Sequence, residues 1–195
     1  MGNCSFVIRH LSFVVSLRID SLLTTHSPLI TDMTPVKSID WDGLTAELQG
    51  IEVIRDPSQV AKLSQDYHLF SPILQAQLDG KKGDLVVRPT TEAEVIHVAT
   101  ICVKYRVPVT IRGAGTGNYG QCVPLHGGVV LDMSRMQAIR WIKSGVARVE
   151  AGVKLAALDK KARETGWEIR MAPSTYRTAT IGGFIAGGSG GIGSI

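Results

Sequence analysis

LVVRPTTEAEVIHVATICVKYRVPVTIRGAGTGNYGQCVPLHGGVVLDM, residues 85–133, decides the fold. Leu85-Val86-Val87-Arg88 reads as a short strand stopped by Pro89, which cannot donate to a ladder. Thr91 and Glu94 form a capping box, and Val95, Val98, Ala99, Cys102 and Val103 recur at helical spacing from Glu92 to about Arg106. Val107–Ile111 is a second β-branched run, and Gly128–Met133 a third short strand. Strand, helix, strand is a βαβ unit, so the first two strands are expected to run parallel.

Between the second and third strands lies Arg112–Gly128, RGAGTGNYGQCVPLHGG. Loops of about fifteen residues inside a compact α/β unit are uncommon and usually functional. Gly113, Gly115, Gly117 and Gly120 leave backbone N–H groups unshielded, and successive N–H groups can converge on an anion. Thr116 and Asn118 add a hydroxyl and an amide, and Arg112 a forked cationic donor. This chemistry suits a phosphate or pyrophosphate. Gly115, Gly117 and Gly120 also spell the Rossmann fingerprint, but that fingerprint needs a helix opening at the loop. Only eight residues separate Gly120 from Val129, and Pro124, Gly127 and Gly128 are among them. No crossover helix fits there. Gly188, Gly190 and Gly193 repeat the same spelling, which shows how cheap it is, and no P-loop pattern occurs.

Further along, Ile139–Lys143 and Val146–Glu150 alternate around Ser144-Gly145, a hairpin signal. Lys154–Thr165 puts Leu155, Leu158 and Ala162 on one helix face, with Gly166 at the C′ position. A second backbone-rich element runs from Ala172-Pro173-Ser174 to Thr180-Ile181-Gly182-Gly183. Two such elements suit a dinucleotide better than a mononucleotide. Residues 178–195 carry no charge, but seven glycines argue against a membrane helix there. The chain ends inside this stretch, which reads as a chain cut short, with no closing helix or strand.

On the other side, residues 33–83 read as a helical lead-in. Asp56-Pro57-Ser58 can start a helix whose Val60, Leu63, Ser64 and Tyr67 share a face. The polar turn Asp79–Asp84 marks a boundary. Residues 1–32 form an extension with three open readings: an over-long start with Met33 first, an organelle transit peptide, or an interfacial segment. The apolar run Leu11–Leu17 is too short for a membrane span.

Composition sets bounds. An apolar fraction of 44% supports a real core, and 16 of the 21 glycines fall in residues 111–195. A net charge of +4 is too small and scattered for a nucleic-acid footprint. Cys4, Cys102 and Cys122 form no C-x-x-C pair, which argues against a disulfide scaffold or zinc site and suits a reducing, cytoplasmic location.

RGAGTGNYG, then PLHGGVVLDMSRM, VEAGV, and PST with TIGG, together resemble the FAD-binding domain of the vanillyl-alcohol oxidase and p-cresol methylhydroxylase type. Within that type they look most like FAD-linked oxidases of the glycolate oxidase and D-lactate dehydrogenase kind. The resemblance runs from about Asp84 to Ile195. It implies an α+β, two-subdomain fold: a small parallel βαβ sheet in 84–135, then the start of an antiparallel sheet with helices in 136–195. FAD would sit between them. It implies that Arg112, Gly113, Ala114, Gly115, Thr116 and Gly117, with Asn118 adjoining, hold the pyrophosphate. Pro173, Ser174, Thr180, Ile181, Gly182 and Gly183 match the second FAD-touching segment. Many members tether FAD through a histidine in the first loop. Thr116 stands at that position, so non-covalent FAD is expected.

The resemblance also implies oxidation of a small hydroxy-acid-like or alcohol substrate by hydride transfer to the flavin. The substrate, electron acceptor and catalytic base are not legible, and the fragment alone is expected to bind FAD weakly without turnover. The alternatives are a truncated non-catalytic chain and a flavin reductase of the peptidoglycan-precursor type. His126, Cys122 and Asp132 read as loop, filler and structural residues respectively, not as catalysts, and Tyr119 as either a ring-stacking or an anchoring aromatic.

Overall fold

The structure is a computed structural model that describes residues 39–192. The expectations for residues 1–32 fall outside the described residues. Two strands carry the first core: β2 (Leu85–Arg88) and β4 (Val129–Asp132). Their apolar residues are all at most 3% exposed, which is the mark of strands covered on both faces. Side chains alternate across a strand. Accordingly Leu85, Val87, Val129 and Leu131 pack with Leu44, Leu48, Val98 and Ile101 on one face. Val86 and Val130 pack with Val60 on the other.

The helices on these faces start as their sequences dictate. α1 (Trp41–Glu47) begins at Asp40, whose carboxylate accepts the Gly43 N–H at 2.9 Å. α2 (Pro57–Leu63) begins at Asp56, which accepts Gln59 N–H at 2.9 Å, with Pro57 preset for the first turn. α4 (Glu92–Lys104) is capped by Thr91, whose hydroxyl accepts Glu94 N–H at 3.2 Å. The return half of the capping box is displaced by one residue: Glu94 accepts from the Thr90 N–H at 2.6 Å. The buried face of α4 also differs from the expected one. Ile101 is in the core and Val103 is 70% exposed.

Two further strands complete the first sheet. The lead-in is not helical throughout. β1 (Glu52–Ile54) pairs antiparallel with β2, and α3 (Pro72–Leu78) follows a 3-10 turn at Tyr67–Phe70. β3 (Val109–Arg112) pairs parallel with β4, and β4 pairs parallel with β2, giving the order β1-β2-β4-β3. The parallel direction expected of the βαβ unit is present, but β4 lies between its two strands. No helix joins β3 to β4, which agrees with rejecting the Rossmann reading.

The second unit has antiparallel logic. β5 (Ile139–Lys143) and β6 (Val146–Val149) form the expected hairpin. Ser144 (φ 47°) and Gly145 (φ 83°) both take the left-handed region that a tight two-residue hairpin turn requires. α5 (Leu155–Arg163) buries Leu155, Leu158 and Ala162, and the first two pack with Val149, Val153, Ile181 and Phe184. The glycine-rich tail holds a short helix, α6 (Ile181–Ala186), where the sequence suggested no closing element. The core contacts of Ile181 and Phe184 override the poor helix propensity of Gly182 and Gly183. Within this unit, Gly152 N–H donates to Met136 O at 2.8 Å and Glu150 N–H to Ala138 O at 2.9 Å, closing the base of the hairpin.

Candidate functional site

The glycine loop leaves β3 at Arg112 and turns immediately. The Arg112 guanidinium folds back onto the lead-in. Its Nη1 donates to the carbonyls of Leu63 (3.1 Å) and Gln65, and its Nη2 donates to Ala114 O at 3.5 Å. The sequence suggested a forked donor for phosphate. In the structure the fork is engaged by backbone carbonyls, and its charge lies directly against Gly115.

Each glycine in the loop has a neighbour where a side chain would stand. Gly115 has φ +67°, and a Cβ there would overlap the Arg112 guanidinium. A Cβ on Gly117 would overlap Gln121 Oε1 and come within 3.2 Å of Asp66 Oδ2. A Cβ on Gly113 would overlap Thr180 Oγ1. That last contact joins the two backbone-rich segments, with Gly183 Cα also at 3.8 Å from the same point. The structure therefore brings together Gly113, Thr180 and Gly183, which lie far apart in sequence.

The second segment is held in place by the second core. Leu155 N–H donates to Ala179 O at 3.0 Å, Ile181 N–H to Val153 O at 2.8 Å and Gly182 N–H to Ala151 O at 3.0 Å. Gly182 has no room for a side chain, because a Cβ would lie 2.8 Å from Ala151 Cβ. Ile181 is buried in that core, so only its backbone is available at the surface of the unit. Tyr176 donates its hydroxyl to Asp159 Oδ2 at 2.7 Å, and Asp159 Oδ1 accepts Ile169 N–H at 2.8 Å. Burial pushes the Asp159 carboxyl upward, but Arg163 and these donors hold it below the usual carboxylate range. Pro173 and Ser174 sit in a turn in which Pro173 O accepts Tyr176 N–H at 2.9 Å, beside the Ala172–Ile192 bridge.

Thr116 is half-buried, while Asn118 and Tyr119 are exposed. His126 is exposed in the loop. Asp132 is 2% exposed and accepts Arg88 Nε at 2.8 Å, a structural pin across β2 and β4. Burial pushes the Cys102 thiol up to about 11, and burial also raises Cys122, against the opposing pull of Arg112. Both are poor nucleophiles at neutral pH. Among the described residues no cluster of His, Cys, Asp and Glu could hold a metal ion, and no helix is long and apolar enough to cross a membrane.

Two buried side-chain atoms among the described residues lack a hydrogen-bond partner: Thr180 Oγ1 and Asp66 Oδ2. Both abut the loop, at Gly113 and Gly117 respectively. Thr180 was singled out by its sequence; Asp66, His68 and Gln121 were not. No local signal marks them, because their burial arises only when the lead-in packs on the loop.

The four-stranded sheet and the antiparallel unit meet here at a glycine-lined seam, bordered by the buried, unpartnered hydroxyl of Thr180. The chain belongs to the FAD binding domain family, which it matches over residues 83–195.

Among curated relatives, the glycolate oxidase subunit GlcD of Escherichia coli (strain K12) is 36% identical over 110 residues, covering 55% of this chain and 22% of that protein. The D-lactate dehydrogenase of Archaeoglobus fulgidus is 31% identical over 147 residues, covering 75% of this chain and 32% of that protein. The chain thus spans less than a third of the length of either. A solved alkyldihydroxyacetonephosphate synthase superposes with a TM-score of 0.68 at 22% identity, covering 83% of this chain and 36% of that one, which is a likeness of fold.

The donor set fits FAD on the structure's own terms. Gly113 and Gly115 are positions where Thr180 Oγ1 and the Arg112 guanidinium leave no space for a Cβ, so backbone is what the loop presents there, and the buried Thr180 hydroxyl has no partner.

Proposed function

We propose that this chain is the FAD-binding part of a flavin-dependent oxidoreductase that acts on a small hydroxy acid or alcohol, with FAD held non-covalently. The observation that carries the reading is the meeting of Gly113 with Thr180, whose buried hydroxyl lacks a partner. Backbone N–H groups of Gly113–Asn118 would hold the diphosphate, and Thr180 would donate its hydroxyl to it. Charge-assisted bonds of this kind are stronger than neutral ones. Arg112 would contribute through its field and by fixing the loop. Pro173, Ser174 and the Ile181–Gly183 backbone would line the other side.

FAD would supply the hydride acceptor for the substrate carbon, and the protein would orient the two partners. A hydroxy-acid substrate is supported by likeness to a glycolate oxidase subunit and a D-lactate dehydrogenase. Non-covalent attachment is supported by Thr116, because a threonine cannot form the histidyl bond expected at that loop position.

The test is direct. FAD is titrated into the purified chain with binding read by flavin fluorescence, and the complex at saturating FAD is then acid-denatured and its precipitate washed. The expected result is weak binding, flavin that leaves with the acid supernatant, and no turnover of D-lactate or glycolate by this chain alone. No binding at the highest FAD concentration contradicts the binding reading. Flavin that stays with the precipitate contradicts the non-covalent one.

A further inference from the structure

The matched family domain begins at residue 83, yet its glycine loop is fastened by residues that precede it. Leu63 O and Gln65 O accept from Arg112, and Tyr67 N–H donates to Gly117 O at 2.7 Å. Between these fastenings stands Asp66, only 6% exposed. Its Oδ1 accepts twice from His68, from the backbone N–H at 2.9 Å and from the ring Nδ1 at 2.8 Å. A carboxylate only accepts, so the imidazole carries its hydrogen on Nδ1.

Its Oδ2 is buried, has no partner, and lies against Gly117. A buried acceptor left unmade is costly, and a charged one more so. The expense is one-sided: Oδ1 is doubly satisfied and Oδ2 not at all. The other unpartnered atom, Thr180 Oγ1, stands at Gly113 of the same loop. Both deficits among the described residues therefore border the Gly113–Gly117 stretch.

We infer that Asp66, braced by His68, is a positioning residue for the cofactor loop, and that Leu63–His68 is a clamp belonging to the cofactor site. This rests on the FAD reading above. With FAD bound, the partner expected for Oδ2 is a loop N–H next to Gly117 and not the ligand, because a carboxylate repels a diphosphate. Seating the dinucleotide turns that N–H onto Oδ2, and the clamp and cradle order together.

Asp66→Asn keeps the shape, puts a donor amide where an acceptor is required, and removes a buried charge. FAD affinity by flavin fluorescence titration is expected to fall roughly tenfold, the usual scale for one unmade buried bond. The melting temperature of the cofactor-free chain is expected to stay the same or rise. Opposite movement of the two readouts is the signature of positioning. Unchanged affinity overturns the inference, and so does a parallel loss of affinity and cofactor-free stability, which would mark a structural residue.

Hydrogen exchange on the unmutated chain tests it without any substitution. Saturating FAD is expected to slow exchange in residues 64–68 and 115–119 together. Protection confined to the loop overturns the clamp. Failure of the unmutated chain to bind FAD at all is a different result, and overturns the functional reading together with this one.

Discussion

Gly115→Ala is expected to weaken FAD binding about a hundredfold while leaving the chain folded. Gly115 has φ +67°, a region that costs an L-residue about 1–2 kcal/mol. The new methyl would also overlap the Arg112 guanidinium. Arginine is long and mobile enough to escape, but its escape breaks its bonds to Leu63 O and Gln65 O, which tie the loop to the lead-in. The core strands do not depend on these bonds, so the fold survives. The cradle does not. Losing two charge-assisted backbone bonds, each worth about 1.5–3 kcal/mol, corresponds to about two decades or more in affinity. Fluorescence titration of FAD reads the affinity, and circular dichroism checks the fold. Near-normal affinity would mean that the Gly113–Gly117 backbone is not where the diphosphate binds.

Gly128→Ala is expected to cost stability on the order of 4 kcal/mol, at the upper end for point substitutions. Gly128 opens the third parallel strand at φ +83°. A Cβ there would overlap the carbonyl of Pro108, with Pro108 Cβ at 3.0 Å. That carbonyl accepts Val129 N–H at 2.8 Å, and Gly128 itself donates to Asp84 Oδ2 at 2.6 Å. The obstruction is backbone, which cannot swing away. Gly80→Ala is the control: its φ is +69°, but nothing lies within 4 Å of the added methyl. Its loss should be only the strain of about 1–2 kcal/mol. Urea unfolding of both variants separates the two contributions. Equal losses at the two sites would show that the Pro108 contact is not real.

What the sequence disclosed follows from what is local. The capping threonine of α4, the Asp56-Pro57 start of α2 and the Ser144-Gly145 turn are written in neighbouring residues, and each stands where expected. The placement of β4 between β2 and β3 is not local, and neither is β1, whose three residues become a strand only by pairing with Val86–Arg88. The choice of Ile101 over Val103 for the core is set by how α4 sits on the sheet, which hydrophobic spacing alone does not fix.

The site divides the same way. A run of glycines announces backbone recognition because no other residue leaves N–H groups so bare. Asp66 and His68 look like ordinary polar residues in a lead-in. Their burial is created by the packing of a separate segment, and the unpaired Oδ2 is visible only in three dimensions. Arg112 illustrates the converse: its type and position suggested a phosphate donor, yet nearby carbonyls claim its fork.

The resting place of the FAD diphosphate decides whether the Gly113–Asn118 loop is the cofactor cradle. A crystal structure of the chain with FAD, or amide-resolved NMR of the complex, measures that location. The expected result puts phosphate oxygens about 3 Å from N–H groups between Gly113 and Asn118, with the Thr180 hydroxyl donating as well. A diphosphate bound away from this seam, with the Thr180 hydroxyl still unpartnered, would contradict it.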